Sequence, residues 1–323
     1  MRQAVNGPDF LCIGAQKAGT TWLWTQLKEN PAVWMPPRKE VHYFDRHCPA
    51  PNYLAEPSVL KRVFGQAEPQ RAWRAMLRAD FAESFRRRDW ASARWQKRFY
   101  FGHHDDAWYC SLFPRRRGII TGEFTPAYSI LPEEDVAHIA HLLPSLKAIL
   151  LLRNPIDRAW SQVRFDWTRG ARSSLSNLDD VKRFIDSPKQ ERRSSYLRML
   201  DVWGRYIPRE RLFVSFYEDV VRRPAELLDD VCRFLGIRPV PRTTEALNRK
   251  VHVSREAPMP PEIHAYLAAK YLPEMKELQA RVGGPVQEWI AMAQEALDGG
   301  SESKPTRAMQ PVATGRESLA DRV

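Results

Sequence analysis

Apolar residues fall into short runs along this chain, and each run is followed by a stretch in which they recur at helical spacing. A continuous apolar run of strand length suits a strand that is buried on both faces. The alternation predicts an α/β fold, with a mainly parallel sheet flanked by helices on both faces. The predicted strands are 10–13, 146–152 and 212–217. One helix is predicted over 20–27, a second begins near Pro155, and a third runs through 227–235 to a cap at Gly236.

The segment from about residue 53 to 118 interrupts this alternation. It has no comparable apolar run and is rich in arginine and tryptophan, so we expect a helical insertion. Residues 61–118 carry 14 Lys and Arg against 6 Asp and Glu, in a chain whose net charge is +11. Such a region attracts an anionic substrate, nucleic acid or an acidic membrane surface. A plainer interpretation is a solvated helical face whose apolar side is core, formed by Trp73, Met76, Leu77, Phe81 and Phe85.

Composition narrows the class of protein. The 323-residue chain is 43% hydrophobic, which excludes a disordered protein and a small disulfide scaffold. We expect one domain over residues 8–297 and a disordered tail over 298–323, where Gly, Ser, Pro and charged residues prevail. The four cysteines stand singly, and no His or Cys cluster has metal-ligand spacing, so we predict a reducing compartment and no bound metal.

Targeting signals are also missing from the sequence. No apolar run approaches the roughly 18 to 20 residues that span a bilayer. The N-terminal residues lack a signal-peptide core of adequate length. We therefore predict a cytoplasmic protein with no transmembrane segment.

The residues GAQKAGTTWL, which begin at Gly14, lie between the first predicted strand and its helix. Their two glycines have the spacing of a Walker A loop, but the lysine stands before the second glycine instead of directly after it. Backbone N–H groups at the start of a helix attract an anion, and Thr20 and Thr21 add hydroxyl donors. The displaced lysine argues against ordinary ATP hydrolysis, as does a second strand that ends in Arg153 instead of an aspartate. We predict a P-loop-like cradle for a phosphate-bearing ligand.

Two further groups of residues carry chemistry. In LLLRNPIDRAWSQ, Arg153 follows a buried strand and Ser161 lies in the next helix, so we expect both to meet one anion above the carboxyl edge of the sheet. In RKEVHYFD, Glu40 and His42 lie on the same side if the segment is extended. Either of them could take a proton from an acceptor hydroxyl.

All three groups resemble motifs of the sulfotransferases that use 3'-phosphoadenosine 5'-phosphosulfate (PAPS), in a bacterial type similar to the heparan-sulfate sulfotransferase domain. QKAGTTWL resembles the 5'-phosphosulfate loop, whose lysine, here Lys17, helps to stabilise the leaving oxygen. RKEVHYFD resembles the segment whose glutamate, here Glu40, is the proposed general base. The resemblance implies that Lys17, Glu40 and His42 are catalytic and that Lys39, His42 and Asp45 lie beside the acceptor. It also implies that Arg153 and Ser161 bind the 3'-phosphate of the donor. The other implied donor contacts are Gln16, Lys17, Ala18, Gly19, Thr20, Thr21 and Trp22.

Two segments downstream extend the resemblance. Residues 108–114 and 122–130 are similar to further segments of the same family. In the second segment, Phe124 stands where the heparan-sulfate enzymes carry a substrate-facing lysine. We therefore expect Phe124 at the acceptor, and the missing lysine argues against a heavily sulfated polysaccharide.

Residues 248–263 resemble the family loop that closes over the nucleotide. By this match Lys250, Ser254 and Arg255 are candidate donor contacts. The cysteine pair that the family carries just upstream is absent, which agrees with a cytoplasmic, bacterial-type enzyme.

The resemblance implies an enzyme that moves a sulfuryl group from PAPS to a hydroxyl or amine without a metal or a specific nucleic acid. Glycan, glycolipid and small-molecule acceptors all stay open. So do two other functions. A P-loop kinase would need Mg²⁺ and a carboxylate to hold it. A nucleic-acid-binding protein would use the basic residues of 61–118.

Overall fold

A computed structural model describes residues 7–45, 58–114, 116–168, 177–248 and 257–299. The chain divides into two compact units. One comprises Met1–Asn154 and Ser195–Val253, and the other comprises Pro155–Ser194 and Ser254–Val323. The first unit contains the sheet, and the described part of the second is helical.

The first unit is built on a parallel sheet of five strands in the order β2-β3-β1-β4-β5. The central strand β1 is buried at every residue, as expected for a strand covered on both faces. Because the strands are parallel, the loops that follow them leave from the same edge of the sheet. The strands are β1 (Phe10–Gly14), β2 (Val33–Trp34), β3 (Ile120–Phe124), β4 (Lys147–Leu152) and β5 (Leu212–Phe216).

Ten α-helices in the described part of the first unit connect and cover these strands. Numbered in chain order, they are α1 (Thr20–Lys28), α2 (Val59–Phe64), α3 (Glu68–Arg86), α4 (Trp90–Phe101), α5 (Asp106–Ser111), α6 (Glu133–Leu142), α10 (Tyr196–Tyr206), α11 (Tyr217–Arg222), α12 (Pro224–Leu235) and α13 (Thr244–Asn248). Short 3-10 segments cover Pro126–Ile130 and Arg209–Arg211.

The predicted helical insertion corresponds to α2 through α5, which lie between β2 and β3. Its predicted core side is only partly core. Trp73 is 1% exposed, whereas Phe85 is 53% exposed, so the expectation that Phe85 is buried is wrong. Helical spacing places Phe85 with the apolar residues of α3, but no described element covers the end of that helix face.

The described helices of the second unit pack against one another. Inside it, Arg158 is fully buried and donates from Nε and Nη2 to the Ser194 hydroxyl, at 3.0 and 2.7 Å. Trp160 donates from Nε1 to the Ala257 carbonyl at 3.0 Å. The helices of this unit are α7 (Pro155–Thr168), α8 (Leu178–Ile185), α9 (Pro188–Ser194), α14 (Pro261–Val282) and α15 (Val286–Gly299).

The α/β prediction is confirmed, as are the three predicted strands and the cap at Gly236, which has φ +79. Sequence reasoning missed β2 and β3. The sequence of β3, ITGEF, breaks the apolar run with Gly122 and Glu123. Gly122 is needed there because a Cβ at this position would lie 2.0 Å from the Phe10 ring. The domain limits 8–297 stay a prediction, and residues 300–323 of the predicted tail lie outside the described part.

Candidate functional site

The loop after β1 leads directly into α1 at the carboxyl edge of the sheet. Gly19 precedes the helix with φ +87, and no side chain caps the helix at that position. A Cβ on Gly19 would meet the Tyr217 ring at 3.1 Å and Val220 at 3.3 Å, so glycine is required by conformation and by space. The first N–H groups of α1 thus lie next to the loop that carries Lys17.

Arg153 and the lysine loop meet, as the sequence predicts for groups at one sheet edge. Nη1 of Arg153 donates to the Lys17 carbonyl at 3.0 Å, and Lys17 has φ +70. The Arg153 guanidinium lies 4.4 Å from the centre of the Tyr217 ring. Its Nε is buried and has no hydrogen-bond partner among the described residues. The cation is therefore held at the loop with one donor still unsatisfied.

The segment that carries Glu40 reaches the same helix start through Lys39. Nζ of Lys39 donates to the Thr21 hydroxyl at 2.7 Å and lies 3.4 Å from Glu40 Oε1. The Glu40 N–H donates to the Phe124 carbonyl at 3.1 Å, which fixes the segment to the end of β3. One lysine thus joins the helix start to the predicted base.

Glu40 and His42 form an ion pair, but not through an extended backbone. Both have positive φ, +66 and +57, so the extended geometry expected from the sequence is wrong at these residues. His42 Nε2 lies 3.2 Å from Glu40 Oε2, and its Nδ1 lies 2.7 Å from Asp45 Oδ2. The turn brings the side chains of Glu40, His42 and Asp45 into contact.

The pKa values of the two candidate bases, Glu40 and His42, shift in opposite directions. Burial by itself would raise the Glu40 pKa, but the hydrogen bond from His42 and the charge of Lys39 outweigh it and lower the pKa. For His42, burial would lower the pKa, and the pairing with Asp45 and Glu40 raises it to about 10. At neutral pH the carboxylate is therefore ionised and the imidazole is protonated. Glu40 can accept a proton there, and His42 cannot.

A buried hydrogen-bond network centred on Glu123 lies next to the turn that carries Glu40 and His42. Glu123 is buried and accepts hydrogen bonds from the hydroxyls of Tyr109 (2.5 Å), Thr125 (2.6 Å) and Tyr128 (2.9 Å). Burial raises the Glu123 pKa, although the hydroxyl donors oppose the rise. The Tyr128 hydroxyl also accepts from the Tyr43 N–H at 2.9 Å, next to His42. Through the Tyr128 hydroxyl, Glu123 therefore helps to hold the backbone of Tyr43, next to His42.

The other predicted donor contacts of the loop differ in their surroundings. The Oε1 atom of Gln16 is buried without a hydrogen-bond partner in the described part of the chain. Ala18 and Thr20 are buried. The Trp22 indole is also buried and donates to the Leu247 carbonyl at 2.8 Å, so it packs against α13.

Several predicted residues do not join this group. Phe124 is 1% exposed and packs edge-on against Phe10 with ring centres 6.1 Å apart, so we leave it out of the acceptor site. Ser161 is buried on α7 in the second unit, and its pairing with Arg153 stays a prediction. Lys250, Ser254 and Arg255 lie outside the described residues.

Sequence reasoning missed Tyr217 and the hydroxyl partners of Glu123. Tyr217 was expected to end a strand, but β5 ends at Phe216 and Tyr217 begins α11. Its position directly after a parallel strand was a usable signal, because such positions line the ligand edge of the sheet. The Tyr109 and Tyr128 hydroxyls gave no comparable signal, since their common partner Glu123 is distant from Tyr109 in sequence.

Among the described residues, no group of three or more His, Cys, Asp and Glu side chains could hold a metal ion. In the same part of the chain, every helix is too short or too polar to cross a bilayer.

Comparison with known proteins gives relatives of one kind. Heparan sulfate glucosamine 3-O-sulfotransferase 3B1 of Homo sapiens is 32% identical over 149 residues, which cover 42% of this chain and 36% of that protein. The bifunctional heparan sulfate N-deacetylase/N-sulfotransferase 3 of Mus musculus is 22% identical over 318 residues, which cover 88% of this chain and 31% of that protein. The chain spans about a third of the length of the curated relatives it matches.

A solved structure has the same fold. The crystal structure of a sulfotransferase from Alicyclobacillus acidocaldarius superposes with a TM-score of 0.57, covering 87% of this chain and 98% of that one at 21% identity. A likeness at this identity supports the parallel sheet and its helices, and it carries no argument about substrates.

A family model described as the sulfotransferase family matches residues 8–241. This range contains all five strands, the lysine loop after β1 and the turn that carries Glu40. The resemblance predicted from the motifs is thereby confirmed, together with the prediction of a sulfotransferase. A match over so much of the chain means that this protein belongs to the sulfotransferase family.

Proposed function

We propose that the protein transfers a sulfuryl group from PAPS to a hydroxyl, or an amine, of an acceptor. The observation that carries this proposal is the contact of Lys39 with both Thr21 and Glu40. It joins an anion-binding helix start to an ionised carboxylate within one chain of contacts. Transfer of a charged group to a hydroxyl needs these two functions side by side.

The donor would be held by the loop after β1 and by Arg153. Backbone N–H groups at the start of α1 and the Thr21 hydroxyl suit a 5'-phosphosulfate. The unsatisfied Nε of Arg153 is a buried hydrogen-bond donor that calls for an acceptor on a ligand. This fits a donor with several anionic oxygens. The resemblance predicts Ser161, Lys250, Ser254 and Arg255 as further donor contacts.

Glu40 would act as the general base. Its carboxylate takes the proton of the acceptor hydroxyl while the acceptor oxygen forms a bond to sulfur and the bond from sulfur to the bridging phosphate oxygen breaks. Lys17 stabilises the charge that this bridging oxygen gains as it leaves. The proton therefore ends on Glu40, and the negative charge ends on 3'-phosphoadenosine 5'-phosphate.

Lys39, His42 and Asp45 complete the acceptor side. Protonated His42 keeps Glu40 ionised and oriented, and Asp45 holds the imidazole from its other nitrogen. Lys39 keeps the turn at the donor loop. In this proposal His42 is a positioning residue, because its raised pKa keeps it from accepting a proton.

The acceptor is proposed to be a glycan, a glycolipid or a small molecule that bears a hydroxyl. The printed names of the relatives concern heparan sulfate. This chain has Phe124 in the core, at the position where the resemblance places a substrate-facing lysine. The loss of that cation favours an acceptor with less negative charge than a heavily sulfated polysaccharide.

A cytoplasmic, bacterial-type enzyme is also proposed. Cys12, Cys110 and Cys232 are buried free thiols, and burial raises the pKa of Cys12 to about 12. Thiols of this kind suit a reducing compartment. Mass spectrometry of protein alkylated during isolation from its own cells should find four free thiols, and a disulfide would count against this location.

The donor assignment can be tested before any acceptor is known. Thermal shifts of the full chain are measured with 3'-phosphoadenosine 5'-phosphate, ADP and ATP, each with and without Mg²⁺. A ligand at 100 times its Kd adds about 2.7 kcal/mol of stability. We expect the first nucleotide to stabilise the protein most, independently of Mg²⁺. A larger shift with ATP that requires Mg²⁺ would overturn the proposal in favour of a kinase.

A further inference from the structure

A groove lies between α3 and α4 of the helical insertion. It has a volume of about 680 Å³. Four aromatic rings form most of its wall, two of them on α3 and two on α4. The lining residues are Phe81, Phe85, Trp90, Ala93, Arg94, Lys97 and Phe101.

Helix α4 carries apolar residues on two faces, and within the described residues one of these faces is buried while the other is largely exposed. Trp95 and Phe99 are buried and stack with ring centres 5.0 Å apart. Trp90 and Phe101 lie on the groove side, and they are 59% and 44% exposed. The Phe101 ring also lies 6.1 Å from that of the buried Trp73. A surface helix needs one apolar stripe, so in the described part of the chain the exposed area of these two rings is more apolar surface than packing requires.

The exposed rings form one continuous surface. Phe85 lies with its ring centre 6.1 Å from that of Phe81 and 5.6 Å from that of Trp90. Contiguous exposed aromatic surface of this kind marks a binding site for an apolar group.

The groove is preformed because its two helices are fixed to each other. Gln96 on α4 donates from Nε2 to the Ser84 hydroxyl at 2.8 Å and to the Asp80 carbonyl at 3.2 Å, both on α3. Asp80 also accepts from the Tyr100 hydroxyl at 2.5 Å and from Arg38 at 3.2 Å. A ligand therefore meets a shaped surface and does not have to order it.

The charge beside the groove is positive. Arg94 and Lys97 line it and are exposed. Residues 81–101 hold six arginines and lysines against two acidic residues, and one of the acidic pair, Glu83, already contacts Arg86 and Arg87. An anionic group next to an apolar chain complements this arrangement, because the chain covers the rings and the anion meets the two cations.

We propose that this groove binds the apolar chain of a single-chain anionic amphiphile, whose negatively charged head pairs with Arg94 and Lys97. The groove is open, and its volume of about 680 Å³ suits one apolar chain. The apolar and charged parts of the ligand are recognised by different residues. Substitutions can therefore remove the apolar contacts and the charged contacts separately.

The test uses dodecyl phosphate below its critical micelle concentration, titrated calorimetrically into the full chain. Dodecyl maltoside and inorganic phosphate serve as the neutral and the chain-free probes. We expect dodecyl phosphate to bind at least about tenfold more tightly than either of them. Equal binding of dodecyl maltoside overturns the anionic part, and binding of inorganic phosphate alone overturns the apolar part.

Variants locate the site. Phe85→Ser combined with Trp90→Ser should weaken dodecyl phosphate binding about tenfold or more, and Arg94→Glu combined with Lys97→Glu should abolish the preference over dodecyl maltoside. All four substituted residues are exposed, so the fold should persist. Val221→Ser and Arg192→Glu change exposed residues on other helices and are the matched controls, which should bind as the wild type does.

Three outcomes overturn the proposal. They are no binding of dodecyl phosphate, binding that the groove variants leave unchanged, and binding of the protein to anionic vesicles without binding of the monomeric amphiphile. The readout does not involve the sulfuryl donor. If the amphiphile binds and 3'-phosphoadenosine 5'-phosphate does not, the proposed function fails while the groove assignment stands.

Discussion

The loop at residues 14–21, which we propose binds the donor, and the turn at residues 38–45, which we propose faces the acceptor, are built in different ways. The loop follows the buried central strand and leads into α1, whose first backbone N–H groups are the proposed anion-binding groups. The turn has no strand of its own and is held by Lys39, by the carbonyl of Phe124 and by the ion pairs of His42. The loop thus follows from local sequence, whereas contacts with residues outside the segment, such as Thr21 and Phe124, hold the turn in place.

Lys17→Ala tests the donor side and should have the largest effect. We expect kcat to fall by about 10³-fold or more, because a cation next to the leaving oxygen acts mainly in the transition state. Sulfuryl transfer is measured together with the melting temperature, which should hardly change. Lys276→Ala, at an exposed lysine on α14, is the control. Retained activity in the Lys17 variant would remove this lysine from the mechanism.

Glu40→Gln tests the acceptor side by a change that keeps the shape of the side chain. The amide cannot accept the proton, so we expect kcat to fall by about 10²-fold or more. Affinity for 3'-phosphoadenosine 5'-phosphate, measured by calorimetry, should stay within about twofold. A large loss of nucleotide affinity would instead place Glu40 on the donor side and erase the contrast between the two regions.

Arg153→Ala should affect binding of the donor product more than catalysis. Loss of a charge-assisted contact to phosphate costs about 1.5 to 3 kcal/mol, which weakens the Kd of 3'-phosphoadenosine 5'-phosphate by roughly 10 to 150-fold. ADP binding should change less, since ADP lacks the 3'-phosphate. If both nucleotides lose affinity equally, Arg153 supports the loop through the Lys17 carbonyl and does not select the donor.

His42→Gln should have the smallest effect at neutral pH, about tenfold in kcat/KM, the size of one charge-assisted hydrogen bond. Its main effect is on pH dependence. Without the imidazolium, the Glu40 pKa rises, so the acidic limb of the kcat/KM profile should move to higher pH. His103→Gln, at a highly exposed histidine, should leave the profile unchanged. An unmoved acidic limb would show that Glu40 is not the titrating base.

The ion pair of Glu40 and His42 predicts how the free energy of unfolding changes with pH. The His42 pKa is raised from 6.5 to about 10, so its ion pairs contribute fully below pH 6.5 and are lost as the pH rises through about 10. The Glu40 pKa is lowered from 4.5, so its contribution is present above pH 4.5 and is lost as the pH falls. Denaturant unfolding across this range should show both losses in the wild type and a smaller alkaline loss in the His42 variant.

Predictions from sequence were most successful where structure is local. The strand at 146–152 is a continuous apolar run, and the loop after β1 combines glycine spacing with a helix start, so both could be identified without a structure. Strand β3 could not be, because its glycine and glutamate are explained only by partners elsewhere, the Phe10 ring and the Tyr109 hydroxyl. The burial of the Glu123 carboxylate is understood only when those partners are known.

The sequence alone determined the α/β class, because periodicity acts within a few residues, and it predicted the donor loop from glycine spacing and Glu40 as the base from the family resemblance. Only the tertiary structure decided that Lys39 joins the base to the loop, that His42 stays protonated, and that Phe85 is exposed while Trp73 is buried. These features depend on which distant groups come within a few ångströms. A linear pattern of residue types does not contain those distances.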